Sequence, residues 1–251
     1  MKGWQIFTHS VRQVFGNLDA ALKISGPLYL VQMAVALFFG FNVFAGVDLS
    51  DKGANIPWGP LLLVIAVVWT TSLWIAVAWH RFVLRVERPR SLLPDFNGER
   101  IMAYFGRSVI IALLLIPAAL LIGVAASILA YAFMPFGPGV MGFVATILLL
   151  VPTIYMALRL SVSLPAAALG EPPGIGDGWR ATMGQAADLL FLAVILLVAG
   201  SLLALPEKLL LPPGSVITMV WTALTGWVQM MVGASVLTTL YGHYIEGRTL
   251  S

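Results

Sequence analysis

The sequence predicts an all-α, polytopic membrane protein whose six transmembrane helices form three hairpins. Only 10% of the 251 residues are charged and 60% are hydrophobic, whereas a soluble globular domain carries about 25% charged residues. Uninterrupted apolar stretches recur along the chain, and each is long enough to cross a hydrocarbon core of about 30 Å. They lack the alternation of apolar and polar residues that marks transmembrane β-strands, so helices are predicted.

The six predicted spans are separated by short polar or proline-containing connections. They cover residues 28–47, 58–79, 109–133, 140–158, 189–205 and 216–240. Trp58 and Trp79 stand at the two ends of the second span, as expected for side chains at the membrane–water interface. Pro117 and Pro152 lie inside the third and fourth spans and predict kinks there. The connections on one side are the polar segment 48–57, the proline–glycine turn 135–139 and the loop 206–213.

Amphipathic segments precede three of the spans. Residues 3–23 place apolar side chains three or four positions apart, which predicts a helix lying on the membrane surface and ending at Ser25-Gly26-Pro27. The segments 98–107 and 177–188 are predicted to form similar helices, and Asp177 is expected to cap the second of them. The fold class is therefore a six-helix bundle with amphipathic interfacial helices on one side.

A weak internal repeat accompanies this pattern. Each unit consists of an interfacial helix, a span, a short turn and a second span, and the units cover residues 3–84, 98–160 and 177–244. The first and third units open on the same dipeptide, Gly3-Trp4 and Gly178-Trp179. The three repeats together form one integral membrane domain.

The distribution of basic residues predicts the orientation. Twelve of the fourteen Lys and Arg residues fall on the side that holds both termini, and only Lys52 and Lys208 fall on the other. By the positive-inside rule both termini are cytoplasmic. A net charge of +3 is too small and too unevenly placed to indicate a nucleic-acid partner.

Few residues within the spans suggest chemistry. Intramembrane ionisable groups usually mark transport or proton pathways, and the predicted spans have none. One face of the sixth span carries Thr218, Thr222, Thr225, Gln229, Ser235, Thr238 and Thr239, which favours packing between helices over a pore. His9, His80 and His243 have no spacing typical of metal ligands. The chain has no cysteine and no nucleophile or phosphate-loop motif, so neither an enzyme nor a cofactor or metal site is predicted.

The candidate functional site is the basic stretch 79–107. Its six arginines are Arg81, Arg85, Arg88, Arg90, Arg100 and Arg107. Arg81, Arg85 and Arg88 are spaced to project from one side of a continuing helix, where each could gain about 1 kcal/mol near anionic lipid. The alternative is that these residues only fix topology. The carboxylates of Glu87, Asp95 and Glu99 are predicted to pair with them.

A second set of residues carries a resemblance. A span ends at Arg159, an apolar stretch containing proline runs to Leu169, Glu171 occupies a turn, and a helix opens near Trp179. In this pattern the chain resembles YciC-type proteins and the membrane domain of some glycerophosphodiester phosphodiesterases. WHRFVL at 79–84 and YGHYIEGR at 241–248 resemble a group of uncharacterised alphaproteobacterial inner-membrane proteins. The resemblance implies a bacterial inner-membrane location but no activity, since the sequence shows no phosphodiesterase domain.

The sequence thus favours a non-enzymatic membrane module that binds lipid headgroups, or a membrane-protein partner or second copy of itself, through its basic cytoplasmic face. The alternative function is a transporter or flippase of a lipophilic or uncharged solute, with helix movement at Pro117 and Pro152.

Overall fold

The structure, a computed structural model, describes residues 2–44, 58–89, 91, 93–212 and 214–250, and the side chains of residues 40–44 are excepted. The helices are α1 (Lys2–Phe15), α2 (Leu18–Phe44), α3 (Trp58–Arg85), α4 (Gly98–Tyr131), α5 (Pro138–Ser161), α6 (Leu164–Leu169), α7 (Ile175–Ala181), α8 (Ala186–Leu209) and α9 (Val216–Tyr244). A 3₁₀ turn, Met134–Phe136, joins α4 to α5.

The predicted fold class is confirmed. Within the described ranges the protein contains six helices long and apolar enough to cross a membrane, namely α2, α3, α4, α5 continuing into α6, α8 and α9. No strand occurs in these ranges. The predicted polar connection 48–57 and the last residues of the first predicted span, 45–47, lie outside the described residues.

The first helix break lies nine residues earlier than predicted. It falls at Gly16, where a Cβ atom would stand 2.7 Å from the Arg12 carbonyl oxygen, and α2 then runs through Pro27. The neighbouring helix contributes to the stability of α2 at this point, because Trp227 Nε1 donates to Ser25 Oγ at 2.7 Å. Prolines are tolerated in membrane helices because neighbouring helices and Ser or Thr side chains stabilise the chain around them.

Three other predicted boundaries are also wrong. The amphipathic segment 98–107 and the third span form one helix, α4, of 34 residues. The predicted helix 177–188 is divided between α7 and the start of α8. The fifth span continues through Pro206 to Leu209, so Lys208 lies on α8 and not in a loop.

Asp177 stabilises the start of α7, although it is the third helical residue and not the residue that precedes the helix. Its carboxylate accepts a hydrogen bond from the Gly174 backbone N–H at 2.8 Å and another from Arg180 at 2.7 Å. The Gly174 bond and, after it, the Arg180 bond hold the pKa of the Asp177 carboxyl below its usual value.

The buried core lies at one end of the bundle, which we call the arginine end because α3 and the opening turns of α4 place their arginines there. Core side chains from α1, α3, α5, α8 and α9 meet there; the largest fully buried ones include Trp79, Leu189, Met231 and Leu240. The opposite halves of α4 and α8 expose side chains such as Leu121 (74%) and Leu202 (59%). In a membrane protein such surfaces face lipid.

Helix α1 packs against the bundle, whereas the sequence predicted only a helix on the membrane surface. Ile6 and Val14 are fully buried, and the Lys2 backbone N–H donates to the Asp188 carboxylate at 3.0 Å. A Cβ atom on Gly3 would stand 2.5 Å from the Asp188 carbonyl oxygen. Gly178 of α7 corresponds to Gly3 in the third repeat. A Cβ atom on Gly178 would stand 3.3 Å from the Ser163 backbone nitrogen.

The shared glycines therefore mark close contacts in both places, with helix α8 at Gly3 and with the connection between α5 and α6 at Gly178. The threefold repeat itself stays a prediction. Its middle unit differs from the other two, because the segment before its first span continues into that span without a break.

Candidate functional site

The arginine end is built around the short helix α6. Every residue from Leu164 to Ala168 is buried, and a left-handed glycine, Gly170 with φ +79°, ends the helix. Glycine adopts this backbone conformation without the steric cost that other residues incur. The chain then turns through 170–174 and enters α7, so several backbone carbonyls near α6 need donors from elsewhere in the fold.

Four of the six predicted site residues, Arg81, Arg85, Arg100 and Arg107, surround α6 and the turn after it, and we call them the arginine ring. Arg107 Nη1 donates to two backbone carbonyls, Ser163 at 2.6 Å and Pro173 at 2.8 Å. Arg81 Nη1 donates to the Ala168 carbonyl at 3.2 Å. These bonds join α3 and α4 to carbonyls before, within and after α6.

Arg85 belongs to a bonded chain that reaches α9. Its guanidinium pairs with the Glu171 carboxylate, and the other oxygen of that carboxylate accepts a hydrogen bond from the Tyr241 hydroxyl at 2.6 Å. The Glu171 side chain is 25% exposed, so a single carboxylate on the turn connects the ends of α3 and α9.

Arg100 occupies the space beside the α6 C-terminus. A Cβ atom on Gly170 would stand 2.0 Å from Arg100 Nη1, so the guanidinium fills the place that a side chain at this position would take. Gly170 is restricted by its φ angle, whereas the Arg100 guanidinium is the end of a flexible side chain and can move away.

Arg88 differs from the ring. Helix α3 ends at Arg85, and Val86 adopts φ +59°, a rare conformation for a β-branched residue. The prediction that Arg88 continues the helix is therefore wrong. It is exposed, and within the described part of the chain it makes neither an ion pair nor a hydrogen bond. Arg90 lies outside the described residues.

Two of the three carboxylates that were predicted to pair with the arginines do so. Glu87 pairs with Arg81 through two bonds of 2.8 Å, and Glu99 lies 3.5 Å from Arg100; both pairings are confirmed. The Asp95 carboxylate has no basic partner among the residues described, and its backbone carbonyl accepts a bond from Trp74 Nε1 at 3.4 Å. Glu171, the carboxylate of the α6 turn, was not predicted to pair with these arginines.

Arg159 was predicted as the end of a span but not as part of a site. Its guanidinium lies 3.7 Å from the centroid of the Trp179 ring and donates to the Trp179 carbonyl at 2.9 Å. It also bonds to Tyr155 and Thr182. It therefore fixes α7 to α5 through a cation–π contact and hydrogen bonds.

The predicted polar face of α9 makes interhelical hydrogen bonds at the arginine end. Ser235 Oγ accepts from Trp79 Nε1 at 2.8 Å, Thr238 Oγ1 bonds His80 Nδ1 at 2.8 Å, and Thr239 Oγ1 bonds Ser10 Oγ at 3.0 Å. His80 Nε2 also lies 3.3 Å from the Tyr104 hydroxyl. This part of the face therefore packs, as the sequence favoured, while Gln229 is exposed.

Metal-ligating residues do not converge within the described ranges. No three His, Asp or Glu side chains there are placed to hold a metal ion. The arrangement instead provides guanidinium groups, and those of Arg81, Arg85 and Arg107 are bonded to acceptors within the fold.

The Glu171 carboxylate can be tested directly. Glu171→Gln is expected to lower the free energy of unfolding by about 2 kcal/mol, because the charge-assisted bonds of a partly buried carboxylate to Arg85 and Tyr241 weaken. Thermal unfolding of the purified protein in detergent would measure the change. Glu99→Gln removes an 80% exposed carboxylate and should change the free energy of unfolding by less than about 1 kcal/mol. Equal effects of the two substitutions would contradict a special role for Glu171.

Comparison of the chain with protein-family models, curated proteins and solved structures finds no match. The class of the protein therefore follows from its fold: it is an all-α multi-pass membrane protein.

Proposed function

We propose that the protein is a non-enzymatic module of the bacterial inner membrane that binds anionic lipid headgroups at its arginine end. The observation that carries the proposal is Arg88, an exposed guanidinium without an intramolecular partner among the described residues. The arginine ring, in contrast, already has acceptors in the fold. Arg88 is therefore the residue of this group with the most freedom to bind a phosphate.

A cleft of about 350 Å³ lies beside Arg88. Its lining includes Lys23, Phe82 and the first residues of α2. Backbone N–H groups at a helix start favour anions, and two basic side chains add to that effect. Asp19 also lines the cleft and pairs with Lys23 at 2.8 Å, but both side chains are at least half exposed. Such exposed pairs contribute little energy, so an anion can compete for the Lys23 ammonium group.

The proposed orientation places the arginine end and both termini in the cytoplasm. The supporting observation is the charge bias of twelve basic residues to two, which is the pattern that the positive-inside rule describes. In this orientation Arg88 faces the leaflet rich in anionic lipid.

Arg88→Gln tests the headgroup proposal. One basic group near anionic lipid contributes about 1 kcal/mol, so the enrichment of phosphatidylglycerol over phosphatidylcholine in the co-purified lipid should fall about fivefold. Lipid mass spectrometry of protein taken from mixed bilayers would measure it. Arg180→Gln is the matched control, because Arg180 is 71% exposed, lies on α7 and does not line the cleft. Unchanged enrichment in Arg88→Gln, or an equal loss in both variants, would refute the proposal.

Transport of a lipophilic or uncharged solute remains the alternative function. It would require a polar path past the middle of the membrane. The cleft between α8 and α9 offers space there but is mostly apolar, and at the arginine end the core is filled by Trp79, Leu189 and Met231. These observations favour the binding module.

A further inference from the structure

The third hairpin encloses a second cleft, away from the arginines. It has a volume of about 630 Å³ and lies between α8 and α9, with further walls from α5 and α1. This volume falls within the range of about 300–1,000 Å³ that is typical of small-molecule sites. Its lining is mostly apolar and includes Leu196, Gly200, Ala204, Lys208, Gln229 and Gly233.

Hydrogen bonds hold the two helices together beside the cleft. Trp221 Nε1 of α9 donates to the Leu203 carbonyl of α8 at 3.0 Å, within the stretch of α8 that lines the cleft. Toward the arginine end, α1 bonds to α8 through Asp188 and to α9 through Thr239. Between these hydrogen bonds Gly200 and Gly233 line open space, and Ala204 lines it next to the Trp221–Leu203 bond. Small residues usually allow membrane helices to pack closely, so an unfilled gap here calls for an occupant.

The shape and charge of the cleft identify the occupant. Along α8 the segment from Leu196 to Lys208 is about 18 Å long at a helical rise of about 1.5 Å per residue, slightly more than half of a hydrocarbon core of about 30 Å. Lys208 is exposed at the end away from the arginines and has no ion pair within the described structure. The adjacent Glu207 carboxylate bonds instead to Thr222 Oγ1 at 3.1 Å.

We propose that the α8–α9 cleft binds a phospholipid with an anionic headgroup from the leaflet opposite the arginine end. One acyl chain lies between the two helices and extends toward Phe7, Val11 and Phe15 of α1, while the headgroup contacts the Lys208 ammonium group. The site is separate from the Arg88 cleft, both in its residues and in the leaflet that supplies the lipid.

Native mass spectrometry of the detergent-purified protein, titrated with phosphatidylglycerol or phosphatidylcholine, tests this inference. Lys208→Gln is expected to weaken the binding of one phosphatidylglycerol molecule about fivefold and to leave phosphatidylcholine binding unchanged. Ala204→Phe fills the cleft and should abolish that binding event. Leu202→Phe, on the lipid-facing side of the same helix with Leu202 59% exposed, is the matched control and should have no effect.

Gln229 distinguishes a hydrocarbon occupant from a polar one. An acyl chain offers the Gln229 amide no hydrogen bond, so Gln229→Leu should retain phosphatidylglycerol binding, whereas a ligand recognised through the amide would be lost. Loss of binding in Gln229→Leu, equal affinity for the two lipids, or unchanged binding in Ala204→Phe would each overturn the inference. A change in protomer number in Ala204→Phe would instead identify a second copy of the chain as the occupant.

The two lipid proposals can fail independently. Arg88→Gln should leave the Lys208-dependent binding event intact, and Lys208→Gln should leave the Arg88-dependent enrichment intact. If only one substitution acts, only the corresponding site exists.

Discussion

Arg107→Ala is expected to detach α6 from α4 and to lower the free energy of unfolding by about 3 kcal/mol. The guanidinium donates to the Ser163 and Pro173 carbonyls at 2.6 and 2.8 Å, and hydrogen bonds to a charged group contribute about 1.5–3 kcal/mol each. Ser163 is buried, so its carbonyl would lose this donor in a site that little water reaches. Loss of a buried hydrogen-bond network is one of the few routes to a large single-site effect.

Two measurements check this expectation. Thermal unfolding in detergent gives the loss of stability, and hydrogen exchange of the backbone amides of residues 166–169 reports whether α6 itself loosens. Arg180→Ala is the matched control, because it removes an arginine that is 71% exposed. Arg107→Lys should fall between the alanine variant and the parent, since the lysine ammonium keeps the charge but not the planar fork of donors. If Arg107→Ala and Arg180→Ala unfold alike, Arg107 does not hold α6.

The arginine ring explains why the basic stretch carries more arginine than orientation alone requires. Topology needs only positive charge on the correct side, whereas the α6 carbonyls need donors at particular positions. Arginine meets both needs, because its guanidinium can donate to two acceptors at once, as Arg107 does. The structural role of the ring leaves Arg88 as the candidate for a ligand.

The six spans were predictable because lipid imposes one strong constraint on sequence: a long, continuous apolar stretch. The packing of α1 against the bundle was harder to predict from the sequence. Its apolar face is equally compatible with a lipid surface or with α8, and tertiary contacts such as those at Gly3 and Ser10 distinguish the two. Likewise, Gly26-Pro27 predicts a break more strongly than Gly16 does, yet packing against Trp227 helps to preserve the helix through Pro27.

The candidate site was predictable in its side-chain cations but not in most of its acceptors. Ser163 and Pro173 contribute through backbone carbonyls, which every residue possesses, so no sequence pattern indicates them. Glu171 could have been singled out from the sequence, because it is the one carboxylate between Arg159 and Asp177. Its pairing with Arg85 depends on α6 folding back beside α3, and this tertiary arrangement has no local signature.

Gly3→Val is expected to displace α1 from the bundle. A Cβ atom at this position would stand 2.5 Å from the Asp188 carbonyl oxygen and 3.1 Å from the Leu192 nitrogen. Both are backbone atoms of α8, so a rotamer change cannot relieve the contact. Displacement would also break the Lys2–Asp188 hydrogen bond of 3.0 Å and would expose Ile6 and Val14, which are fully buried. Burial of each such side chain contributes about 1.5–3 kcal/mol.

The absence of native cysteine gives a direct readout of α1 docking. Ser10 is fully buried and bonds to Thr239, so a Ser10→Cys thiol should react slowly with a water-soluble maleimide in the parent background. In Gly3→Val the rate should rise by about an order of magnitude or more, because the undocking equilibrium shifts by at least 1.4 kcal/mol. Gly26→Ala is the matched control, since a Cβ atom there meets nothing within 4 Å. Equal thiol protection in the two backgrounds would mean that α1 stays docked despite the clash, and the close approach at Gly3 would then not determine its position.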